Sequence, residues 1–195
     1  MASSPKEAFW DIRAAEVASF LGPASWILAN ADLLPRGGRA LDVACGGGRH
    51  ALILAVAGFA VDAVDLDAER IGSLSDTARR LSLPLHARRV DLETAGPVDL
   101  GQDVYDLVIV TRYLHRPLFG SLRAALKPGG LLLYETFTIH QAVSGHPTNA
   151  AFLLQEGELS GLVAPLEVVR QREGVFDGAH LAAVVALKHG GSDGS

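Results

Sequence analysis

The stretch over residues 40–67 constrains the fold of this chain more than any other part of the sequence. A short apolar run at 40–44 gives way at once to three consecutive glycines. Residues 49–57 then have helical character, and a second apolar run at 59–64 stops at Asp65. This order predicts a strand, a glycine turn, a helix and a second strand. Such a unit is half of an α/β sheet, in which ligands bind at the carboxyl ends of the strands.

The rest of the chain continues the alternation of strands and helices. Helical periodicity covers 68–81, and a helix at 118–126 is stopped by Lys127-Pro128-Gly129-Gly130. Further strands are predicted at 85–90, 106–110 and 131–137, and two β-rich runs at 166–176 and 180–188 flank the hairpin signal Asp177-Gly178. We therefore expect an α/β fold with a doubly wound, Rossmann-like, mostly parallel seven-stranded sheet. It has helices on both faces and a C-terminal antiparallel hairpin, where an ordinary dinucleotide-binding fold continues with parallel crossovers.

Length and composition fit one domain over residues 1–195. Residues 7–36 are predicted to form an N-terminal helical cap, broken at Gly22-Pro23, while 1–6 and 190–195 are expected to be disordered. A pair of amphipathic helices ahead of a sheet usually covers it. The alternative is a flap over the ligand site that carries Trp10 and Arg13.

Charge and composition disfavour several classes of partner. The formal net charge of −5 argues against nucleic acid, and no apolar run reaches the roughly 20 residues of a membrane helix. The single cysteine, Cys45, can form no internal disulfide, and the first six residues lack an apolar signal-peptide core. We expect a soluble cytoplasmic protein with no membrane partner.

The glycine turn alone does not define the ligand. Gly46 and Gly48 let the backbone approach a bound molecule, and Asp65 is placed to accept hydrogen bonds from both hydroxyls of a ribose. However, Gly46-x-Gly48-x-x-Ala51 also matches the dinucleotide fingerprint, so a nicotinamide-dependent oxidoreductase is one alternative.

Two further acids point away from a dinucleotide. Asp42 lies inside the opening strand, where a carboxylate repels a pyrophosphate but suits an ammonium group. Asp91 closes the third strand, where it can accept a hydrogen bond from the exocyclic amine of adenine. With Asp65, these acids describe a nucleoside that has a cationic tail and no phosphates, and S-adenosylmethionine fits that description.

The motifs resemble those of class I S-adenosylmethionine-dependent methyltransferases over about residues 37–137. Leu41-Asp-Val-Ala-Cys-Gly-Gly-Gly is similar to their first motif, Tyr105-Asp-Leu-Val-Ile-Val to their fourth strand, and Leu126-Lys-Pro-Gly-Gly-Leu-Leu-Leu to the turn into their fifth strand. Cys-Gly-Gly-Gly-Arg-His is closest to the tellurite-resistance type. The resemblance implies S-adenosylmethionine as cofactor, S-adenosylhomocysteine as product, and these binding residues: Asp42, Ala44, Gly46, Gly48, Arg49, Asp65, Leu66, Asp91, Leu92 and Thr111.

Ala44 departs from the commoner pattern of this family, which has glycine at that position. Alanine is still small, so we expect a mild change. Cys45, inside the turn, is interpreted as a packed residue rather than a nucleophile.

The methyl acceptor is less well defined by the sequence. Residues after the fourth and fifth strands, with the two from the N-terminal segment, are the candidates for its pocket: Trp10, Arg13, Arg112, Tyr113, His115, Phe137 and His140. Tyr113 could face the sulfonium or be a packed aromatic, and Arg112 could hold an anionic acceptor. His115 could act as a base or merely cap a helix. Since positioning does most of the catalysis of methyl transfer, no catalytic residue is assigned.

The sequence lacks the pattern of a metal site and the motif of one class of methyltransferase. The spacing of His50, His140 and His146 is not that of a metal site. The Asn/Asp-Pro-Pro-Tyr/Phe motif of methyltransferases that act on exocyclic or amide nitrogens is replaced by Thr111-Arg-Tyr-Leu. We therefore predict a small-molecule methyltransferase, with a non-catalytic S-adenosylmethionine-binding module as the other alternative. The segment 137–163 is expected to determine specificity.

Overall fold

The computed structural model describes residues 21–190, which fall into two compact units. The first unit ends at Leu92 and the second begins at Glu93.

The first unit contains three parallel strands and the helices that connect them. Its elements are α1 (Ser25–Ala29), β1 (Gly38–Val43), α2 (Arg49–Val56), β2 (Phe59–Asp65), α3 (Ala68–Arg80) and β3 (Leu85–Arg89). Asp67 starts α3, because its carboxylate accepts hydrogen bonds from the backbone N–H groups of Glu69 and Arg70. The strands and helices predicted over residues 40–90 are confirmed, with bounds that differ by one or two residues.

The core of the first unit lies along β1 and β2. Ala40, Leu41 and Val43 have no exposed surface, and Val43 pairs with the equally buried Val64 of β2. Such continuous apolar runs are typical of parallel strands that are covered on both faces. Because β1, β2 and β3 are parallel, their carboxyl ends lie at one edge of the unit.

The second unit combines a parallel pair of strands with an antiparallel hairpin. Its elements are β4 (Tyr105–Thr111), a 3₁₀ helix (Arg116–Leu118), α4 (Phe119–Ala125), β5 (Leu126–Phe137), α5 (Gln141–Ser144), a 3₁₀ helix (Ala150–Phe152), α6 (Glu158–Val163), β6 (Glu167–Phe176) and β7 (Ala179–Leu187). β4 and β5 are parallel, whereas β7 runs antiparallel to both β5 and β6.

The fifth strand begins earlier than the sequence predicts. Tyr105 pairs with Leu126 and Leu107 pairs with Leu131, so residues 127–130 form an irregularity within β5 rather than a turn ahead of it. Gly129 donates its N–H to the carbonyl of Lys188 (2.7 Å), and this pairing keeps the stretch in the sheet. The proline and glycines therefore mark a bulge, which the sequence pattern does not distinguish from a strand start.

Residues 138–163 carry more structure than the sequence predicts. The sequence pattern predicts a loop over residues 138–148 and a weak helix over 151–163. In the structure the first stretch contains α5, and the second divides into a 3₁₀ turn, an extended piece and α6. α1 is the second of the two predicted N-terminal helices, and Gly22 (φ +59°) lies at the break before it. The rest of the predicted cap, with Trp10 and Arg13, and both predicted disordered ends except residue 190 lie outside the described residues.

The strands form a seven-stranded sheet in the order β3-β2-β1-β4-β5-β7-β6, which confirms the predicted fold class. Over residues 21–190, no helix is both long enough and apolar enough to span a membrane. The single-domain organisation remains a prediction.

Candidate functional site

Two carboxylates hold the glycine turn that follows β1. The N–H of Gly46 donates to Asp65 Oδ2 (2.8 Å), while the other oxygen of Asp65 accepts from the N–H of Asp67 (3.0 Å). In the first turn of α2, the N–H of Ala51 donates to Asp42 Oδ2 (3.0 Å). Asp42 and Asp65 thus bring their negative charges to the turn from two adjacent strands.

This hydrogen bonding bears directly on the class of ligand. A pyrophosphate binds a glycine turn through backbone N–H groups at the start of the following helix. Here the amides of Gly46 and Ala51 already donate to the side chains of Asp65 and Asp42, and a phosphate beside them would also be repelled by the charge of Asp65. The carboxylate acceptors of the turn therefore fit a ligand with a cationic group and hydroxyls rather than a dinucleotide.

The glycines of the turn have different physical reasons to be glycine. Gly48 (φ +76°) is buried, and a Cβ there would overlap the side chain of Leu74 in α3. At Gly46 (φ +55°), a Cβ would meet only the end of the Arg70 side chain at 3.5 Å, and at Gly47 it would meet nothing within 4 Å. Gly48 is thus required by helix packing, whereas Gly46 and Gly47 leave room for a ligand.

Ala44 has a left-handed backbone conformation, with φ +54°. This conformation costs an alanine about 1 kcal/mol or more relative to glycine, because its Cβ crowds the following carbonyl. The expectation that alanine is tolerated because it is small therefore misses the relevant property. The family glycine at this position serves the backbone conformation.

Burial raises the pKa of Asp42 to about 7. The nearby charge of Asp65 adds to this effect, whereas the hydrogen bond from Ala51 and the charge of Arg49 oppose it. Because Asp42 is only 1% exposed, its carboxylate lacks water and favours a cationic partner.

The acid after β3 lies at the same edge as Asp65. The N–H of Val90 donates to the backbone carbonyl of Asp65 (2.9 Å), which fixes the residue next to the exposed Asp91. Leu66, directly after Asp65, is 52% exposed, whereas Leu92 is only 5% exposed. Leu66 therefore offers an accessible apolar surface at this edge, and Leu92 offers little.

The remaining residues of the turn have structural contacts. The guanidinium of Arg49 donates to the carbonyl of Gly22 (2.9 Å), and the buried His50 accepts from the N–H of Ala24 (3.2 Å). Burial raises the pKa of the Cys45 thiol, with the charges of Asp42 and Asp65 acting in the same direction. Cys45 is therefore a neutral thiol near pH 7, in agreement with a packed residue.

In the second unit, the structure brings together two of the residues predicted to line the acceptor pocket. Arg112 follows the last residue of β4, Thr111, and its N–H donates to the carbonyl of Glu135 (2.7 Å). Its guanidinium carbon lies 5.8 Å from the centre of the Phe137 ring at the end of β5. Arg112 has φ +55°, an unfavourable conformation of the kind that clusters at functional sites.

The other predicted acceptor residues are less clearly placed. The Tyr113 hydroxyl lies 3.4 Å from Glu93, and its carbonyl accepts from the hydroxyl of Tyr134 (2.7 Å). His115 precedes the 3₁₀ helix at Arg116–Leu118. It lines a cavity of about 740 Å³ together with residues 94–102, and neither Arg112 nor Phe137 lines that cavity.

His140 is exposed and lies 2.6 Å from Glu156. This hydrogen bond occupies the Nε2 atom of His140. Over residues 21–190, no group of three or more His, Cys, Asp or Glu side chains could hold a metal ion.

Sequence reasoning missed two features near the end of β5. The hydroxyl of Thr136 is buried and has no hydrogen-bond partner within the described chain. Arg116 makes a bidentate ion pair with Glu158, 42 residues away. No local motif in the sequence indicates such a distant pair.

Comparison with protein families identifies a match to the family model "Tellurite resistance protein TehB" over residues 25–178. Among curated proteins, the chain is 30% identical over 146 residues to Hemagglutinin 1 of Eikenella corrodens, covering 70% of this chain and 46% of that protein. It is 31% identical over 144 residues to YqeM of Bacillus subtilis, to which a methyltransferase role is attributed, covering 69% of this chain and 55% of YqeM. The chain thus spans about half the length of these relatives.

Solved structures share the fold. TehB from Haemophilus influenzae matches with a TM-score of 0.63 and 19% identity, covering 90% of this chain and 61% of that one. An S-adenosylmethionine-dependent methyltransferase from Mesorhizobium loti matches with a TM-score of 0.69 and 18% identity, covering 86% and 100%. A protein described as converting a disulfide bond into a thioacetal group in echinomycin biosynthesis matches with 0.69 and 18%, covering 93% and 95%. At these identities the likeness shows the fold.

Proposed function

Because this chain belongs to the TehB family of S-adenosylmethionine-dependent methyltransferases, we propose that it methylates a small anionic molecule. The observation that carries the anionic acceptor is the guanidinium of Arg112. It lies at the end of β4 beside the Phe137 ring, and no carboxylate of the described residues pairs with it.

The cofactor is assigned to the cluster of acids around the glycine turn. Asp42 provides a buried negative charge for the ammonium group of S-adenosylmethionine, and Asp65 accepts hydrogen bonds from its ribose. Each oxygen of Asp65 accepts one backbone N–H and retains a second lone pair for a hydroxyl. Asp91 and the exposed Leu66 are assigned to the adenine.

Methyl transfer requires little chemistry from the protein side chains. S-adenosylmethionine supplies an activated methyl group, so an acceptor lone pair forms the new bond while the carbon–sulfur bond breaks and its electrons stay on the sulfur. An acceptor that is already anionic needs no general base, so the protein must only align it and exclude water. This agrees with a site in which the carboxylates hold the cofactor and no acid–base pair is assigned.

The conformation of Arg112 supports a role in binding. Its N–H continues the β4–β5 ladder, which fixes the backbone in the left-handed region despite its cost. An arginine presents a rigid fork of donors that matches carboxylates and oxyanions. We therefore assign Arg112 to the anionic group of the acceptor and Phe137 to the apolar wall beside it.

Two thiols provide the test at alkaline pH, where the reacting sulfur of each is partly ionised to the thiolate without a protein base. 3-mercaptopropionate also carries a carboxylate, and 2-mercaptoethanol does not. The release of S-adenosylhomocysteine is measured with each thiol. We expect a KM about tenfold lower for 3-mercaptopropionate, and we expect Arg112→Gln to remove that preference. Arg170→Gln, a change at an exposed arginine of β6, serves as the matched control and should keep it.

Equal KM values for the two thiols in the wild type would exclude the anionic acceptor. Cofactor binding without any release of S-adenosylhomocysteine from a broad acceptor panel would instead favour a non-catalytic binding module.

A further inference from the structure

The segment 149–158 lies directly against the carboxyl end of β5. The N–H of Leu154 donates to the carbonyl of Phe137 (3.0 Å), and the carbonyl of Leu154 accepts from the N–H of Ile139 (2.8 Å). These bonds form a parallel bridge between Thr138 and Leu154, so the segment extends the sheet beyond Phe137. Leu153 and Leu154 have no exposed surface, which anchors the middle of the segment.

A single side chain, Arg116, ties this segment to the loop after β4. Its Nε and Nη2 donate to the two carboxylate oxygens of Glu158 (2.6 and 2.8 Å). Its remaining donors reach the backbone carbonyls of Ala151 (3.0 Å) and Leu153 (2.9 Å). The planar fork of an arginine makes such an arrangement, and the point charge of a lysine cannot.

The electrostatics of the pair keep both partners charged. The hydrogen bonds to Arg116 lower the pKa of Glu158, and those to Glu158 raise the pKa of Arg116. Glu158 also accepts from the N–H of Gln155 (2.8 Å) and lies in the first turn of α6, where a negative charge is favourable. The pair is part-buried, with side-chain exposures of 35% and 22%, so solvent screens it less than a surface pair.

An exposed aromatic residue lies between the two residues whose carbonyls accept hydrogen bonds from Arg116. Phe152 is 44% exposed and lies between Ala151 and Leu153, both of which Arg116 holds. The next residue, Leu154, is hydrogen-bonded to Phe137, which the proposed function places beside the acceptor. The ion pair of Arg116 with Glu158, which we call the Arg116–Glu158 clamp, thus fixes the position of Phe152 relative to the end of β5.

We propose that the Arg116–Glu158 clamp positions segment 149–158 as the wall that selects the methyl acceptor. Arg116 is a positioning residue: it acts through the segment and not on the reacting atoms. The inference rests on the proposed methyltransferase function. It assigns to the clamp the selectivity between acceptors, and it leaves cofactor binding to the first unit.

The test compares Arg116→Lys and the milder Glu158→Gln with the wild type. Methyl transfer from S-adenosylmethionine to 3-mercaptopropionate and 2-mercaptoethanol is followed through S-adenosylhomocysteine release, and cofactor Kd is measured by calorimetry. We expect Arg116→Lys to raise the KM for 3-mercaptopropionate about tenfold, which removes its preference over 2-mercaptoethanol, because a displaced wall misaligns the acceptor, with cofactor Kd unchanged. Glu158→Gln should raise that KM several-fold, and amide exchange at Leu154 should quicken in both variants.

Arg123→Lys is the matched control. Arg123 also donates to a backbone carbonyl, that of Leu162 (2.8 Å), but it tethers the other end of α6. Its replacement should leave the KM for both thiols unchanged.

The outcomes separate this inference from the function on which it rests. Wild-type turnover with an unchanged KM in both clamp variants, or an equal rise in KM for Arg123→Lys, would overturn the positioning role alone. Cofactor binding by the wild type without turnover of either thiol or of any acceptor in a broad panel would overturn the proposed function, and the inference with it.

Discussion

Ala44 shows how a single backbone angle can matter more than side-chain size. Its φ of +54° lies in the region that glycine adopts without strain. We predict that Ala44→Gly raises the free energy of unfolding by about 0.5–1 kcal/mol. The relief of backbone strain in the folded protein should outweigh the higher conformational entropy that glycine gives the unfolded chain. Urea denaturation measures the change.

Ala40→Gly is the control for this prediction. Ala40 lies in β1, is fully buried and has no positive φ, so its replacement should destabilise the protein. Equal destabilisation by both substitutions would show that the backbone at Ala44 is not strained.

Asp42 predicts a dependence of stability on pH. Burial raises the folded-state pKa of this carboxyl to about 7, above its ordinary value, so the folded protein binds more protons than the unfolded chain between about pH 4 and 7. Its contribution to the unfolding free energy therefore falls as pH rises across this window and is constant above it. Asp42→Asn should remove this pH-dependent contribution. Its free energy of unfolding at pH 8 should exceed that of the wild type by roughly 1–3 kcal/mol.

Urea denaturation of both proteins at pH 5, 6, 7 and 8 measures the difference. The affinity of the wild type for S-adenosylmethionine should rise over pH 6–8, as the carboxylate forms, and that of Asp42→Asn should not. A stability difference that does not vary with pH would contradict the raised pKa.

At the scale of one residue, the sequence predicted where the acids lie along the strands but not which groups they contact, and their roles in binding remain predictions. Asp65 is the last residue of β2 and Asp42 lies one residue before the end of β1, whereas Asp91, predicted to close the third strand, lies two residues beyond the end of β3 at Arg89. The hydrogen bonds from Ala51 and Gly46 to these acids depend on how the turn folds back, and no pattern encodes that. Gly48 is required by Leu74, a residue 26 positions later, for the same reason.

Among the secondary-structure elements, the β6–β7 hairpin is the most local in origin. Asp177 (φ +50°) and Gly178 (φ +74°) both have positive φ, as a type I′ turn requires. A Cβ at Gly178 would meet nothing within 4 Å, so only backbone strain opposes a substitution. Gly178→Ala should therefore lower the unfolding free energy by about 1 kcal/mol, as measured in urea.

Gly161→Ala provides a control of opposite sign. Gly161 lies in α6 with open space around its Cα, so alanine should stabilise the helix by about 0.5–1 kcal/mol. Stabilisation by both substitutions would contradict the turn assignment.

The sequence predicts an element when its own turn or cap residues define it. It misses an element whose conformation depends on pairing with residues far away in the chain. The hairpin and α3 follow from their own turn and cap residues. The irregularity at residues 127–130 follows from pairing with Tyr105 and Lys188. From the sequence, the same residues predict only the end of the preceding helix. The extended piece before α6 likewise depends on Arg116, which lies 35 or more residues away in the sequence.

For the whole molecule, the order of elements was sufficient to predict the fold class. Five alternating strands and a final antiparallel hairpin match the observed seven-stranded sheet, and the TehB family match agrees with the predicted methyltransferase class. The acceptor could not be predicted to the same depth, because its candidate residues belong to loops whose positions depend on distant contacts such as the Arg116–Glu158 pair.

Calorimetric titration of S-adenosylmethionine and of NADH tests the central claim, that the acids of the glycine turn bind a cationic, phosphate-free nucleoside. Asp65→Ala should weaken S-adenosylmethionine binding by about 2–3 kcal/mol, because it leaves buried polar groups unpaired. Asp62→Ala, in the same strand but paired with Arg39, should bind as the wild type does. We expect saturable binding of S-adenosylmethionine by the wild type and none of NADH. Binding of NADH without binding of S-adenosylmethionine would contradict it.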